Sequence, residues 1–207
     1  MKKMGKARIM AFLFWIVTSL SACHFSSEPI LSEAERVMKS YPDSALTLLE
    51  TIRNAEEMSA GDYATWCLLV TQARDKNYVE HTSDSVINVA VRYFEKRKDP
   101  HRKAQAYYCR ERVLSDLNAS EEVLDVYLKA KEQVEKTMDF DLKARICNHL
   151  GSLYWDNRSD RKSLACYKEA YQVYEQIQHI YLSWLMISVN GNRIRPKGIM
   201  FQFKNYL

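Results

Sequence analysis

The stretch CNHLGSLYWDNRSDRKSLACYKEAYQVYEQ, residues 147–176, contains two amphipathic segments separated by the polar break DNRSD. Apolar residues recur at spacings of three and four on both sides of the break, which is typical of helices with one buried face. Small residues would let two antiparallel helices approach closely, and tyrosines would fill the space towards the next helix. The small residues here include Gly151, Ser163 and Ala170, and the tyrosines include Tyr154 and Tyr167.

Helical patterns of the same kind cover most of the chain. The sequence contains only five glycines and four prolines, and the breaks between periodic segments are short and polar. No strand pattern occurs before residue 180, so the predicted fold class is all-α. The predicted helices cover residues 31–39, 43–56, 62–77, 83–97, 101–117, 120–138, 141–157 and 159–178.

A period close to 40 residues relates these helices to one another. VYLKA at 126–130 and CYKEA at 166–170 share the pattern Tyr-x-x-Ala, formed by Tyr127 with Ala130 and by Tyr167 with Ala170. Regular self-similarity of this length indicates stacked supersecondary units. The sequence therefore favours an α-solenoid of antiparallel helical hairpins over residues 31–179, with another kind of helical bundle as the alternative.

The unit at 147–176 resembles a tetratricopeptide repeat (TPR), since its small and aromatic residues match that family's positions. The preceding unit fits at Leu114, Tyr127 and Ala130, but it has Glu111 where the family has Gly or Ala. The period exceeds the usual 34 residues of the family. The resemblance implies a TPR-like α-solenoid.

The N-terminus has the features of a secretory signal. Lys2, Lys3, Lys6 and Arg8 precede an apolar core of about eight residues, which is far too short to span a bilayer. The sequence LSAC at 20–23 resembles the lipobox of bacterial lipoproteins. That resemblance implies a signal peptide at 1–22, lipidation of Cys23 by diacylglycerol and N-acylation, and a tether at 23–30. The alternatives are an ordinary cleaved signal peptide and an uncleaved anchor.

The residue after the cysteine bears on location. His24 stands where Asp would favour retention in the inner membrane. The expected location is therefore the cell envelope, at the outer membrane or the periplasmic face.

Charge and composition exclude several classes of function. The chain has 30 basic and 26 acidic residues, but the two ends hold eight of the bases and no acid. The remainder has a net charge of −4, so no footprint for nucleic acid is present. No paired carboxylates, nucleophile with a base, phosphate loop or metal-ligand spacing occurs, so neither an enzyme nor a cofactor is expected.

The cysteines other than Cys23 each lie within an apolar helical pattern. They are Cys67, Cys109, Cys147 and Cys166. We expect buried free thiols, and Cys147 with Cys166 is the one pair to examine for a disulfide.

In a TPR solenoid the first helix of each hairpin lines a concave groove. The resemblance places Gln105, Tyr108, Arg112 and Asp116 on that surface in one unit. It places Arg145, Asn148, Ser152, Trp155 and Asp156 there in the next. Such a groove would suit an extended peptide or a helix, and the alternative is a solvated helix face without a ligand.

The chain over about residues 1–180 resembles TPR lipoproteins of the envelope of anaerobic bacteria. This implies a lipid-anchored scaffold that binds an unidentified protein. Longer members of that group are similar to membrane-tethered transcriptional regulators. The alternative is therefore the sensor portion of such a regulator, without its output domain.

The pattern changes at residues 180–207, where all four charged residues are basic and Gly191, Pro196 and Gly198 interrupt any helix. We expect an irregular tail and an exposed apolar face on the last hairpin. A frameshift or truncation of a longer protein would explain this end, and a native tail is the alternative. Sequencing the gene through codons 180–190 distinguishes them.

Lipidation at Cys23 is directly testable. The mature protein should partition into detergent and incorporate a fatty-acid probe, because acyl chains at one cysteine together hold a protein firmly in a bilayer. Replacing Cys23 by Ala should abolish the labelling. Labelling that persists in this variant would contradict the lipoprotein interpretation.

Overall fold

The computed structural model describes residues 27–189, and the side chains of these residues except 120, 121 and 182–189. This part of the chain contains eight α-helices and no strand, which confirms the all-α prediction. The helices are α1 (Glu28–Val37), α2 (Pro42–Glu50), α3 (Ala60–Lys76), α4 (Ser85–Phe94), α5 (Pro100–Asp116), α6 (Ser120–Val134), α7 (Phe140–Asp156) and α8 (Asp160–Val189). The predicted signal peptide, the predicted lipidation site Cys23 and residues 190–207 of the predicted tail lie outside the described residues.

Three helices, α3, α5 and α7, begin at intervals of 40 residues, and each has 17 residues. Their N-caps are Ser59, Asp99 and Asp139. In each case the cap side chain accepts a hydrogen bond from the backbone N–H three residues later. Ser and Asp are favoured at this position because their oxygens satisfy an otherwise unpaired N–H group.

The same helices also end alike. Tyr78, Asn118 and Arg158 follow the last turns with φ of 57°, 55° and 53°. The next N–H then donates back to a carbonyl five residues earlier, at 3.0, 3.0 and 2.8 Å. This is the Schellman motif, which usually takes glycine at the left-handed position. From residue 60 onward the period seen in the sequence is therefore a repeat of backbone conformation.

Each helix packs against the next one along the chain, and α3 also contacts α1 and α5. Short loops make neighbouring helices antiparallel. One apolar core lies among α1, α2 and α3, with Leu31, Leu49 and Val70 at its centre. A larger core continues from α3 into α8. The indole N–H of Trp66 joins α3 to α2 by donating to the Leu49 carbonyl at 3.0 Å.

Several helix boundaries differ from the prediction by a few residues, and the ends of α2 and α8 differ most. Helix α2 ends at Glu50 rather than at residue 56, because Asn54 takes a left-handed conformation before a short 3₁₀ turn, Ala55–Glu57. Helix α8 continues to Val189, whereas the amphipathic pattern ends at residue 178. No Gly or Pro occurs between residues 160 and 189 to interrupt it.

Packing of α7 against α8 depends on the small residue at Gly151. A methyl group there would lie 2.7 Å from the Tyr167 ring. The Ser163 hydroxyl donates to the Gly151 carbonyl at 2.8 Å, and the Ser152 and Tyr167 hydroxyls are 3.0 Å apart. The close approach therefore has both a steric and a polar component.

The other residues predicted to serve repeat packing lie mostly in the core. Ala130, Ser163 and Ala170 are buried, as is Tyr127, and Tyr154 is half-buried. Tyr167 differs because it packs on its own hairpin yet remains 37% exposed.

Replacing Gly151 by Ala should destabilise the fold. Forcing a methyl group against a ring costs about 1–3 kcal/mol, against a gain of about 1 kcal/mol in helix propensity. A fall in the denaturation midpoint would report the difference. Gly61→Ala is the matched control, because its methyl would meet only the tip of the Tyr93 side chain, at 2.9 Å. Equal stability of both variants would contradict the steric role of Gly151.

Candidate functional site

Seven of the nine residues predicted to line a groove fall into two groups, while Gln105 accepts a hydrogen bond from Arg102 and Asp116 accepts one from the His81 backbone N–H. Tyr108, Arg112 and Arg145 lie where α3, α5 and α7 meet. The second group forms an exposed strip on α7, here called the α7 face, and consists of Asn148, Ser152, Trp155 and Asp156.

The first group joins three helices through polar and aromatic contacts. Arg112 Nε donates to Asp75 Oδ1 at 2.8 Å, linking α5 to α3. The Arg145 guanidinium lies 5.7 Å from the centre of the Tyr108 ring, linking α7 to α5. The Tyr108 hydroxyl is 3.4 Å from His149 Nε2, and the two rings meet edge to face. Asp75, Tyr108, Arg112, Arg145 and His149 are called the central cluster below.

Burial keeps two members of the central cluster, Tyr108 and His149, uncharged at neutral pH. Burial raises the pKa of Tyr108. Burial, followed by the Arg112 charge, lowers the pKa of His149, which is therefore neutral. Burial is the largest single influence on Arg112 and opposes its charge, but the hydrogen bond that Arg112 donates to Asp75, together with the charges of Asp75 and Glu111, outweighs burial and raises the pKa. Arg112 therefore carries its charge beside two uncharged rings, those of Tyr108 and His149.

An ion pair between residues 67 positions apart in the sequence extends these contacts towards the N-terminus. Arg102 on α5 donates to Glu35 on α1 at 2.7 Å. Together with the Asp75–Arg112 pair and the Tyr108–Arg145 contact, it connects α1, α3, α5 and α7 along one side of the molecule. The first helices of successive pairs therefore face one another directly.

Glu111 is buried between α5 and α6, at the position that Gly151 occupies one repeat later. The Ser115 hydroxyl donates to Glu111 Oε1 at 2.6 Å. Burial raises the pKa of Glu111, and the Ser115 and Tyr127 hydroxyls reduce the increase. The departure from the family pattern noted in the sequence is thus a buried carboxyl that faces the tyrosine equivalent to Tyr167.

The α7 face is open to solvent. Trp155 is 64% exposed, and an aromatic side chain of this size gives a partner a large apolar contact. Asn148 and Ser152 offer hydrogen-bonding groups beside it, and Asp156 adds a charge. Forty residues earlier, Tyr108 and Arg112 hold the positions of Asn148 and Ser152, and there the adjoining helices cover them.

Two features were not predicted from the sequence. His149 lies at the centre of the cluster, and its spacing of four residues from Arg145 could have placed it on the same helix face. A shallow hollow of about 360 Å³ lies between α3 and α4, lined by Tyr63, Val89, Arg92, Tyr93, Lys96 and Arg97 among others. The basic run RYFEKRK at residues 92–98 is its sequence signal.

The cysteines outside the N-terminal region are buried free thiols, as predicted, and Cys147 and Cys166 form no disulfide. Burial raises the pKa of Cys67 to about 11 and those of Cys109 and Cys147 to about 12, so these thiols are protonated and poor nucleophiles. Among the side chains that the structure describes, no group of three or more acidic, His or Cys residues could hold a metal ion. Among the described helices, none combines the length and apolar character needed to span a bilayer.

Comparison of the chain with known protein families, with curated proteins and with solved structures finds no match.

Burial of Glu111 should make stability depend on pH in a predictable direction. Its pKa is raised above the ordinary 4.5, so the folded protein binds this proton more tightly than the unfolded chain does. The resulting stability is present below about pH 4.5 and is lost as pH rises through the folded pKa. Glu111→Gln, which mimics the protonated acid, should therefore be more stable than wild type at pH 7. This advantage should shrink towards pH 4.5 in urea titrations.

The matched control is Glu132→Gln on α6. Glu132 is fully exposed, and its hydrogen bond with Lys136 lowers its pKa, so the substitution should give no gain at pH 7. A Glu111→Gln variant that is less stable than wild type at neutral pH would show that the buried charge is favourable.

Proposed function

We propose that this chain is a lipid-anchored interaction scaffold of the bacterial cell envelope. In this proposal its helices form a TPR-like solenoid, and the α7 face binds a peptide or helix of another protein. The observation that carries the proposal is the open α7 face, centred on Trp155 and built at the end of a regular series of helix pairs.

The 40-residue repeat supports a solenoid of the TPR type. The starts and ends of α3, α5 and α7 repeat with the same caps, and short loops join each helix to the next. Contacts such as Arg112 with Asp75 and Tyr108 with Arg145 join the first helices of successive pairs. In solenoids such helices line the extended surface that binds partners.

The composition of the α7 face supports binding rather than catalysis. Exposed aromatic anchors with nearby hydrogen-bonding groups contribute strongly to protein interfaces. Arg145 borders the face, with its guanidinium paired to Asp141 at 2.9 Å, and could rearrange towards an acidic group of the partner. An amide at Asn148 and a hydroxyl at Ser152 would serve a peptide backbone.

The N-terminal pattern supports anchoring at Cys23. Helix α1 begins at Glu28, five residues after that cysteine. Five residues of extended chain reach at most about 18 Å. A lipidated Cys23 would therefore hold the helices close to the membrane surface, where their partners would be envelope proteins.

The binding role can be tested with a double substitution. Replacing Arg145 and Trp155 together by Ala should reduce recovery of a partner from envelope extracts by about tenfold or more, as expected for loss of an interface anchor. Circular dichroism should remain helical, since Trp155 is mostly solvent-exposed. The measurement is quantitative mass spectrometry of material that co-purifies with the full-length protein.

A matched control is available at the other end of the chain. Tyr41 is 63% exposed, against 64% for Trp155, and Arg53 is an exposed arginine near it in sequence. Replacing Tyr41 and Arg53 by Ala should leave recovery unchanged. The proposal fails if wild-type protein recovers nothing beyond an unrelated lipoprotein, or if both double variants lose the partner equally.

A further inference from the structure

Helix α8 carries an apolar stripe along one face that remains largely exposed in the described part of the chain, although Tyr167 also packs on α7. Its residues are spaced by three, four, three and seven positions, which keeps them on one side of a helix. They are Leu164, Tyr167, Tyr171, Tyr174 and Tyr181, and their exposed fractions are 55%, 37%, 63%, 46% and 40%. Four partly exposed tyrosines on one helix face form a contiguous apolar patch, and patches of this kind mark interaction surfaces.

The preceding helix of the same type shows what fits such a face. Residues of α6 that lie 40 positions earlier are Leu124, Tyr127, Lys131 and Val134. Tyr127 and Val134 are only 2% and 1% exposed, and Lys131 pairs with Glu169 of α8 at 2.6 Å. Helix α7 lies against α6, with the Tyr127 ring stacked on His149 at 6.1 Å between centres. A face of this kind is therefore shaped to take one antiparallel helix.

Charges beside the stripe select the helix that would lie there. Lys168 and Glu175 are two helical turns apart, so they lie on the same edge of the stripe. When two identical helices pack antiparallel, the same edges meet. Lys168 of one copy then faces Glu175 of the other, and the contact occurs twice. Lys168 has no ion-pair partner among the residues whose side chains are described.

The register set by these charges agrees with the extent of the stripe. Opposing Lys168 to Glu175 places the twofold axis between Tyr171 and Gln172. The midpoint of the stripe, from Leu164 to Tyr181, lies one residue away. In this register Tyr171 meets Tyr171 of the second copy, Tyr167 approaches the other Tyr174, and Leu164 approaches the other Tyr181.

We propose that the stripe on α8 is a self-association surface, on which α8 of a second copy packs antiparallel to form a symmetric dimer. The second α8 takes the place that α7 takes on α6. This surface differs from the α7 face, so dimer formation and partner binding can be tested by separate substitutions.

A charge exchange tests the register. Lys168→Glu in the full-length protein should place two acidic side chains opposite each other and raise the dimer dissociation constant at least tenfold. Glu175→Lys should do the same with two basic side chains. The double variant K168E/E175K should recover dimer formation, as measured by sedimentation in detergent. Lys168→Glu is the cleaner single change, because Glu175 also contacts the Tyr171 hydroxyl on its own helix.

A cysteine placed at the axis gives an independent measurement in membranes. Tyr171→Cys should form a disulfide-linked dimer when an oxidant is added, since the two cysteines would face each other across the axis. Leu164→Cys is the matched control on the same stripe. In the antiparallel register its two copies are about 22 Å apart along the helices, so the dimer should form no disulfide at this position.

Three results would overturn the proposal. One is a wild-type protein that sediments as a monomer at every concentration. Another is a K168E/E175K variant that fails to recover association lost in the single variants. The third is cross-linking of the Tyr171→Cys protein to a different polypeptide, which would show that the stripe binds a heterologous helix.

Discussion

In each of the last two helix pairs, a tyrosine of the second helix contacts the middle of the first helix. This contact sets the distance between the two helices, and the packing of the next pair depends on that distance. In the last pair, Tyr167 lies on Gly151, where a single methyl group would not fit. In the preceding pair, Tyr127 occupies the equivalent place and meets the buried carboxyl of Glu111. One site therefore tolerates either no side chain or a long one that reaches the tyrosine hydroxyl, because both leave room for the ring.

Much of this arrangement could be predicted because its signals are local or periodic. The caps at Asp99 and Asp139 act within one turn, and the spacing of Tyr127 and Tyr167 directly shows the repeat. Helix ends were harder. Helix α2 cannot reach residue 56, because Asn54 has a left-handed conformation that residues other than glycine seldom take. Helix α8 continues past residue 178, although its amphipathic pattern ends there. The last part of α8 is helical because its residues include no Gly or Pro, but it lacks the pattern of a buried face from which a helix can be predicted.

Whether a residue predicted to line a groove is covered or exposed could not be predicted from the sequence, because it depends on the neighbouring helices. Tyr108 and Asn148 hold the same position in successive repeats, yet α7 covers the first while the second is exposed. Arg112 and Ser152 differ in the same way, since Arg112 pairs with Asp75. A sequence register identifies the face on which a residue lies, but only the packed structure shows whether another helix already uses it.

The two proposals reinforce each other physically if Cys23 carries lipid. A stripe of five apolar side chains is small beside the interfaces of stable dimers, which commonly bury about 1,600 Å² in total. Anchored copies meet at a higher effective concentration than free ones, so a weak contact can become populated at the membrane without any new interaction. Loss of the anchor should then weaken self-association more than it weakens binding of a peptide at the α7 face, because only self-association requires two anchored partners. Occupancy of the stripe by a second copy therefore depends on whether the chain is anchored in a membrane.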